Sequence, residues 1–451
     1  MVTNTLLDIN AITAEVQMLL ENEAGFSNRV QRQFDSKFGN EGAMIGNSLR
    51  IRIPPRYVVE GNNNPGITPA DTTETEAVIV ASNLSKIAVQ FSDSQMSLEL
   101  NDFSEIVAKP IASQIGTQVD VVGLQQINGY SDAGSTFSSN NGAKSPIYNL
   151  ATAGAVNNIT GPAAWTGNDL NSAATTPREA AAVFNNALAT ISEEGGQSGD
   201  KFCIIDPYSQ ASTVPALGSL FNPNATIAEQ YKTGYLGQQA SAMFHSSPNV
   251  GTFTSGTWTN SANLQVNAVV VEGTSTLVLK AVGNNAVINR GDVLVVAGPA
   301  ASLTAGVFQV NPQNRNSTGR QRMFTVVTDA TADGSGNVTV TVSPEIRAAG
   351  AYMTVSRLPT TNDRVTFIGT PGTATRSNLF YHKNAFGLAI APLPSKLAGA
   401  EVGYARSTKE SDWSIRFVKQ YDISSGVEIS RFEILYGWST IRASLAVKLL
   451  G

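Results

Sequence analysis

The stretch FEILYGWSTIRASLAVKLLG, from Phe432 to Gly451, decides how the chain is organised. It holds two runs of strand-forming residues and no residue set that is typical of catalysis. We interpret it as a pair of strands that bends at Tyr436-Gly437-Trp438 and forms a hydrophobic sheet edge. Because apolar strands are stable only when they are buried, the end of the sequence is predicted to be core, packed near a helix far upstream.

The composition favours a β-rich protein with extensive loops. Of the 451 residues, 42% are hydrophobic and 14% are charged, which is well below the usual share of about 25% charged residues. The net charge of −5 predicts no strong field for nucleic acid. The single cysteine, Cys203, excludes an internal disulfide and is predicted to be a buried thiol. We expect no cofactor and no metal.

Two features bear on localisation. No segment approaches the roughly 20 apolar residues that a membrane-spanning helix needs, so no membrane partner is expected. The start, MVTNTLLDIN, lacks the basic and apolar regions of a signal peptide, and a bacterial-type cytoplasm is therefore the expected place of synthesis.

Three helices are predicted from apolar spacing and capping residues. The first covers residues 8–38, with Ile12, Val16, Leu19 and Leu20 on one face. The second covers 102–128 and has Pro110 in its first turn or at a kink. Its apolar stripe consists of Val107, Ile111, Ile115, Val119 and Val122.

The third helix has a clear start signal and a clear end signal. Thr176-Pro177-Arg178-Glu179 places a capping residue before Pro and Glu, and Gly195-Gly196 ends the helix. Its apolar face holds Phe184, Leu188 and Ile191. The pair Glu193-Glu194 at its end is interpreted as a solvated helix terminus.

A long, thin hairpin is predicted between the first two helices. Its arms lie near 48–59 and 75–92, and Leu49, Ile51 and Ile53 alternate with arginines in the first arm. An isolated hairpin is marginally stable, so we expect it to lie on another surface. Its charged residues are candidate subunit contacts: Arg50, Arg52, Arg56, Asp71, Glu74 and Glu76. The three acidic residues could instead bind a cation or form a solvated edge.

From about 250 to 370 the helix signals vanish, and short strands alternate with Gly/Asn/Asp turns. In NVTVTVSP, for example, Val338, Val340 and Val342 alternate with threonines. We interpret this region as a small barrel or sandwich that is inserted into a mixed α/β host.

Motifs for catalysis are missing from the sequence. With two histidines and one cysteine the chain cannot form a Cys/His zinc cluster, and it has no phosphate-binding or zinc-protease motif. We interpret His382 as an edge-strand or surface residue and His245 as a linker residue. A serine hydrolase that uses His382 is the least favoured interpretation.

The order of these parts resembles the major capsid (coat) proteins of tailed bacteriophages with the Hong Kong 97-type fold. It looks most like the podovirus branch, whose subunit carries an inserted β-barrel domain. The stretches that carry the resemblance are NDFSEIVAKPIASQIGTQVDVVGLQQI, KFCIIDPYSQ, INRGDVLVVAG, RMFTVVTDATADGSGNVTVTVSPEI, SNLFYHKNAFGLAIAPLP and FEILYGWSTIRASLAVKLL. The stretch 129–175 departs from the family pattern.

The resemblance implies an α+β fold with a defined sequence of parts. These are an N-terminal arm (1–40), an extended loop (41–98), a peripheral domain with a spine helix (99–175), an apical domain (176–250), an inserted barrel-like β domain (251–370), and a return to the apical domain with the closing strands of the peripheral domain (371–451).

The function that the resemblance implies is structural and not enzymatic. Many copies would form hexamers and pentamers of an icosahedral virion shell around double-stranded DNA, without DNA sequence specificity. A scaffolding protein, a portal protein and in some cases a decoration protein would be the partners, and assembly would take place in the bacterial cytoplasm.

The alternative from the residues is an adhesive or carbohydrate-binding fibre or decoration protein built around 250–370. Such a protein would need exposed aromatic residues clustered on one face. The aromatic residues of this region, Trp258, Tyr352 and a few Phe, are spread out along the sequence.

Overall fold

The computed structural model describes residues 9–23, 25–32, 48–58, 75–92, 109–128, 149–150, 177–210, 238–239, 241–299, 306–394, 401–406, 413–423 and 427–450. The α-helices in these ranges are α1 Ile9–Glu23, α2 Lys109–Asn128 and α3 Pro177–Glu193, and residues 207–210 form a further helical turn. Short 3-10 helices cover Ser27–Arg29, Lys383–Ala385 and Ala443–Leu445.

The strands of the described residues are, in chain order, β1 Ser48–Ile53, β2 Thr75–Val80, β3 Asn83–Ser92, β4 Asn149–Leu150, β5 Lys201–Ile205, β6 Gln238–Gln239, β7 Ala242–Ser246, β8 Thr252–Thr254, β9 Gln265–Val266, β10 Thr274–Lys280, β11 Val287–Ile288, β12 Val293–Val296, β13 Phe308–Val310, β14 Ser317–Gln321, β15 Met323–Val326, β16 Ala330–Thr331, β17 Val338–Ile346, β18 Val365–Ile368, β19 Ala374–His382, β20 Phe386–Ala391, β21 Glu401–Arg406, β22 Ser414–Asp422, β23 Val427–Thr440 and β24 Ala446–Leu450.

The chain forms two compact units. The first holds residues 1–52, 76–123 and 386–441, and the second holds residues 53–75, 124–385 and 442–451. Each unit is therefore built from segments that are far apart in the sequence.

The first unit is organised around β23, the longest strand. Residues 427–433 of β23 pair with β22, 435–440 pair with β20, and 427–436 pair with β3, all antiparallel. Alternate side chains form a mainly apolar face of the strand that is buried against the core: Ser430, Phe432, Ile434, Tyr436 and Trp438. Glu433, on the opposite face, is also buried. The prediction that this stretch is core is confirmed, but the prediction that it is a sheet edge is wrong.

The predicted bend at Tyr436-Gly437-Trp438 is also wrong. These residues lie inside β23, and the chain turns only at the 3-10 helix Ala443–Leu445. β24 then pairs with β19 and β4 in another sheet, so the two terminal strands do not form a pair. Gly437 allows the backbone of Val80 to pack closely against β23, because a Cβ atom at position 437 would lie 2.1 Å from the carbonyl oxygen of Val80.

Helix α2 confirms the predicted apolar stripe. Ile111, Ile115, Val119 and Val122 are buried, and Pro110 is the second residue of the helix, where a missing N–H group has no cost. The stripe residue Val107 and the start of the predicted helix, residues 102–108, lie outside the described residues. The indole N–H group of Trp438 donates a 3.2 Å hydrogen bond to the carbonyl oxygen of Val119, so β23 lies near this helix as predicted.

Helix α1 is shorter than its spacing predicts. It ends at Glu23 instead of continuing to residue 38, and a 3-10 turn follows at Ser27–Arg29. The buried carboxylate of Asp120 on α2 accepts backbone N–H groups from Gly25, Phe26 and Ser27 at 3.0, 2.8 and 2.9 Å. These bonds satisfy N–H groups outside a regular helix, and they hold the turn in place.

We predict that Gly123→Ala destabilises the first unit, because an added Cβ atom would lie 2.5 Å from Cε2 of the buried Trp438 ring. Overpacking of this kind costs about 1–3 kcal/mol. Urea unfolding measures the loss. Gly334→Ala is the control, since no heavy atom lies within 4 Å of its added Cβ. Equal stabilities of the two variants would contradict the packing of Trp438 on α2.

The predicted hairpin is confirmed only for the pairing of its first arm with the beginning of its second arm. β1 pairs with β2, whereas β3 is a separate strand that pairs with β23. Leu49 of β1 and Ile79 of β2 form a small apolar cluster with Ala389, and Ile51 packs against it. This cluster anchors the base of the hairpin, and residues 59–74 lie outside the described part of the chain.

The second unit contains a mixed sheet in the order β4-β24-β19-β5-β7-β6. β5 is buried along its whole length, as KFCII predicts, and burial raises the pKa of the Cys203 thiol. Pro207 begins a helical turn directly after this strand. α3 starts at Pro177 and buries Phe184 and Ile191, as predicted.

The end of α3 also follows its sequence signal. Gly195 has a φ of +93°, and the Gly196 N–H group bonds to the Ile191 carbonyl oxygen at 2.9 Å, which is the arrangement of a glycine-ended helix.

The region from 255 to 369 of the second unit is a closed barrel. Six strands follow the order β18-β12-β15-β17-β10-β9. The two outer strands meet through backbone bonds of 2.9 Å from Val266 N–H to Asp363 O and from Val365 N–H to Leu264 O. The alternation predicted for β17 is confirmed, because Val338, Val340 and Val342 point into the barrel core.

The chain enters and leaves this barrel at one place. β8 pairs antiparallel with the start of β19, so that Thr252, Phe253 and Thr254 lie opposite Arg376, Thr375 and Ala374.

In the described residues, no helix is both long enough and apolar enough to cross a membrane.

Candidate functional site

The exposed face of the hairpin is the candidate contact surface. In β1, Leu49 is buried while Arg50 and Arg52 are exposed, as period-two alternation predicts. The guanidinium of Arg50 lies 3.5 Å from the carboxylate of Glu76 on β2, and the two side chains are 70% and 49% exposed. An ion pair so exposed adds little stability.

The segment after β1 lies against the barrel of its own chain. The backbone N–H group of Arg56 donates to the hydroxyl of Tyr352 at 3.4 Å, and Nη1 of Arg315 donates to the carbonyl oxygen of Tyr57 at 3.3 Å. The structure thus brings Arg50 and Glu76 together, and it gives the Arg56 backbone a contact with Tyr352. Asp71 and Glu74 lie outside the described residues.

A metal centre has no support in the described part of the chain. No group of three or more His, Cys, Asp or Glu side chains comes together there in a way that could hold an ion. Glu76, one of the candidate cation ligands, instead faces Arg50.

A buried ion pair joins the end of α3 to the barrel, and the sequence did not predict it. The carboxylate of Glu194 lies 2.5 Å from Nη1 of Arg322 and accepts a 2.8 Å bond from the amide of Gln309. The prediction of a solvated Glu193-Glu194 terminus is therefore wrong for Glu194. One signal was available: an acidic residue at a helix C-terminus is unfavourable for the helix dipole, so a partner elsewhere was to be expected.

A second buried ion pair lies in the first unit. Nε of Arg416 on β22 donates to Glu433 on β23 at 2.8 Å, and Nη1 of Arg416 donates to the carbonyl oxygen of Pro394 at 3.1 Å. Arg431 reaches the other oxygen of Glu433 at 2.6 Å. Two arginines thus neutralise one buried carboxylate on the central strand β23.

His382 is buried at the end of β19, and the prediction of an edge or surface position is wrong. Its Nε2 lies 2.7 Å from the carbonyl oxygen of Ser198, and its Nδ1 accepts the backbone N–H group of Asn384 at 3.1 Å. Burial lowers the pKa of the ring. Both nitrogens are therefore engaged with backbone atoms, which is unlike a general base. His245 lies in β7, not in a linker.

The fibre-protein alternative is weakened by the position of Trp258. Its ring is buried and stacks on Phe367, with 5.1 Å between ring centroids. It is therefore unavailable as the exposed platform that sugar binding needs.

Several solved structures from phages match most of the chain. A structure from Mycobacterium phage Che8 is 9% identical, covers 94% of this chain and 90% of its own, and gives a TM-score of 0.42. The capsid of Ralstonia phage GP4 is 9% identical with a TM-score of 0.44, and covers 95% of this chain and 88% of its own. At these TM-scores the similarity carries no argument of its own. A search of curated protein sequences gives no match.

The comparison with family models decides the identification. The model described as "P22 coat protein - gene protein 5" matches residues 167–451, which is more than half of the chain. The matched range includes α3, the barrel, and the strands β19 to β24. The chain therefore belongs to the P22 coat protein family, and its function is that of a structural major capsid protein of a tailed phage.

Proposed function

We propose that this coat subunit associates with itself in many copies to form a closed icosahedral shell around packaged double-stranded DNA. We assign it a Hong Kong 97-type fold: α2 is the spine helix, β1 and β2 are the base of the extended loop, and the barrel at 251–370 is an inserted domain. The entry and exit of the chain side by side at β8 and β19 support the insertion.

Besides family membership, one observation supports the proposal: the hairpin of β1 and β2 has an apolar, buried face and a charged, exposed face. One face is fixed to its own unit by Leu49, Ile79 and Ala389. The other face presents Arg50 and Arg52 to solvent. Because such a hairpin has little core of its own, a neighbouring subunit would supply the missing contact, with carboxylates opposite the arginines.

Other partners follow from the same function. A scaffolding protein and a portal protein would guide assembly in the bacterial cytoplasm, and a decoration protein could bind the finished shell. The net charge of −5 fits a shell that does not grip its DNA.

We predict that the double variant Arg50→Glu/Arg52→Glu folds normally but fails to assemble. The ion pair between Arg50 and Glu76 is exposed and adds less than about 1 kcal/mol, and Arg52 is exposed as well, so the folded monomer keeps its stability. Like charges would face each other between subunits, which weakens association. Sedimentation velocity and negative-stain microscopy measure particle yield, and circular dichroism measures folding.

A charge swap separates contacts within the chain from contacts between subunits. Arg50→Glu/Glu76→Arg restores the pair within the chain but leaves a reversed charge facing the neighbour. We expect this variant to assemble as poorly as Arg50→Glu alone. Recovery of normal shells by the swap would mean that Arg50 serves only its own hairpin, and normal shells from Arg50→Glu/Arg52→Glu would refute the contact surface.

A further inference from the structure

A lysine on β24 and an aspartate in the barrel are both buried in the second unit. Lys448 of β24 is 3% exposed and Asp292, just before β12, is 1% exposed. The ammonium of Lys448 lies 3.4 Å from the ring centroid of Phe253, which belongs to the strand that leads into the barrel. Asp292 accepts backbone N–H groups from Asn289 at 2.8 Å and from Gly256 at 3.1 Å. Three segments thus converge on two opposite charges.

The charged groups on the surrounding elements are engaged elsewhere. On β19, Arg376 lies 3.8 Å from Asp206. Beside Asp292, the carboxylate of Asp329 accepts the backbone N–H group of Arg290 at 2.6 Å, and its charge acts on the Arg290 guanidinium. At the end of α3, which packs against β24, Glu194 pairs with Arg322 and Glu193 with Arg320. Asp292 is the opposite charge that favours the protonated form of Lys448.

We propose that the Lys448–Asp292 cluster is a pH-sensitive joint at which β24 and the barrel separate locally. A buried charge is costly unless it is paired and hydrogen-bonded, and the aromatic ring of Phe253 supplies only a weak contact for the Lys448 ammonium. Opening of the joint returns the charges of Lys448 and Asp292 to water. The proposal does not depend on shell assembly.

The direction of the pH effect follows from the two groups. Burial lowers the pKa of Lys448 from 10.5 to about 7, an effect that Asp292 opposes. Between these values the open state holds one more proton than the closed state, so raising the pH closes the joint. Burial raises the pKa of Asp292 from 3.8 to about 6, so lowering the pH through that range also closes it. Opening is therefore most frequent between about pH 6 and pH 7.

Hydrogen exchange of the full-length chain, followed by mass spectrometry from pH 5 to pH 9, tests the joint. After correction for intrinsic exchange rates, we expect protection of the β24 and β8 amides to rise about tenfold per pH unit above pH 7, the effect of one proton. Amides of β17, deep in the barrel, serve as the internal control and should show no such rise.

Two variants make the test specific. Lys448→Met should abolish the alkaline rise and protect β24 better at pH 6.5, because an apolar side chain replaces a buried charge. Asp292→Asn should keep the alkaline rise and lose the change below pH 6. A rise of equal slope in Lys448→Met, or no rise in the unmodified chain, would overturn the proposal.

Discussion

We expect Arg322→Met to lower the free energy of unfolding by about 3–5 kcal/mol, because it leaves the Glu194 carboxylate buried without its counter-charge. The side chains of Arg322 and Glu194 are only 4% and 6% exposed, so water cannot replace the lost partner. Gln309 still donates one hydrogen bond to Glu194, which offsets only part of the loss. Equilibrium unfolding in urea, monitored on the unassembled chain, measures the difference.

An exposed ion pair provides the matched control. Arg347 lies 2.9 Å from Glu345, with side chains that are 42% and 52% exposed, and Arg347→Met should cost less than about 1 kcal/mol. The double variant Arg322→Met/Glu194→Gln should recover much of the stability, since the orphan charge is then gone. Similar losses from Arg322→Met and Arg347→Met would contradict the buried pair between α3 and the barrel.

We expect a loss of similar size, about 3–5 kcal/mol, from Trp438→Ala in the first unit. The indole is 2% exposed and stacks on Phe26, with 5.0 Å between ring centroids. Its removal opens a cavity between β23, α2 and the turn after α1, and it leaves the Val119 carbonyl oxygen without this donor. Urea unfolding again measures the change.

Tyr421→Ala is the control for this prediction. Tyr421 lies in β22 of the same sheet but is 47% exposed, so its truncation should cost less than about 1 kcal/mol. If Trp438→Ala were as mild as Tyr421→Ala, the central position of β23 would be wrong.

Local patterns predicted those elements whose signals are contained in a few neighbouring residues. Pro177 and Gly195 mark the two ends of α3, and the alternating valines of β17 predict a barrel strand. Alternation in β1 likewise separates the anchored face from the arginine face. In each case periodicity or capping chemistry acts within one element, so no knowledge of the partner is needed.

Predictions that depended on distant residues failed. The turn after α1 is set by Asp120, more than ninety positions away, which no spacing within α1 reveals. Gly437 was interpreted as a corner, whereas it lets the Val80 carbonyl group approach the strand closely. Tertiary packing decided both outcomes, as it does wherever a local signal permits two conformations.

The candidate site likewise contains residues that the sequence located and residues that it missed. Charge alternation located Arg50 and Arg52 on an exposed face, but it could not reveal that Glu76 lies opposite Arg50. The buried groups Glu194, Lys448 and Asp292 were missed because their partners come from segments that only the fold brings together. A charged residue inside an apolar strand, such as Lys448 in AVKLL, is the sequence signal that was available for them.

Cryo-electron microscopy of particles formed by the purified chain tests the central claim most directly. We expect closed, symmetric shells in which the hairpin of one subunit lies across its neighbour, with Arg50 or Arg52 facing carboxylates of that neighbour. A chain that forms no closed particles, or shells in which the hairpin contacts only its own subunit, would contradict the claim.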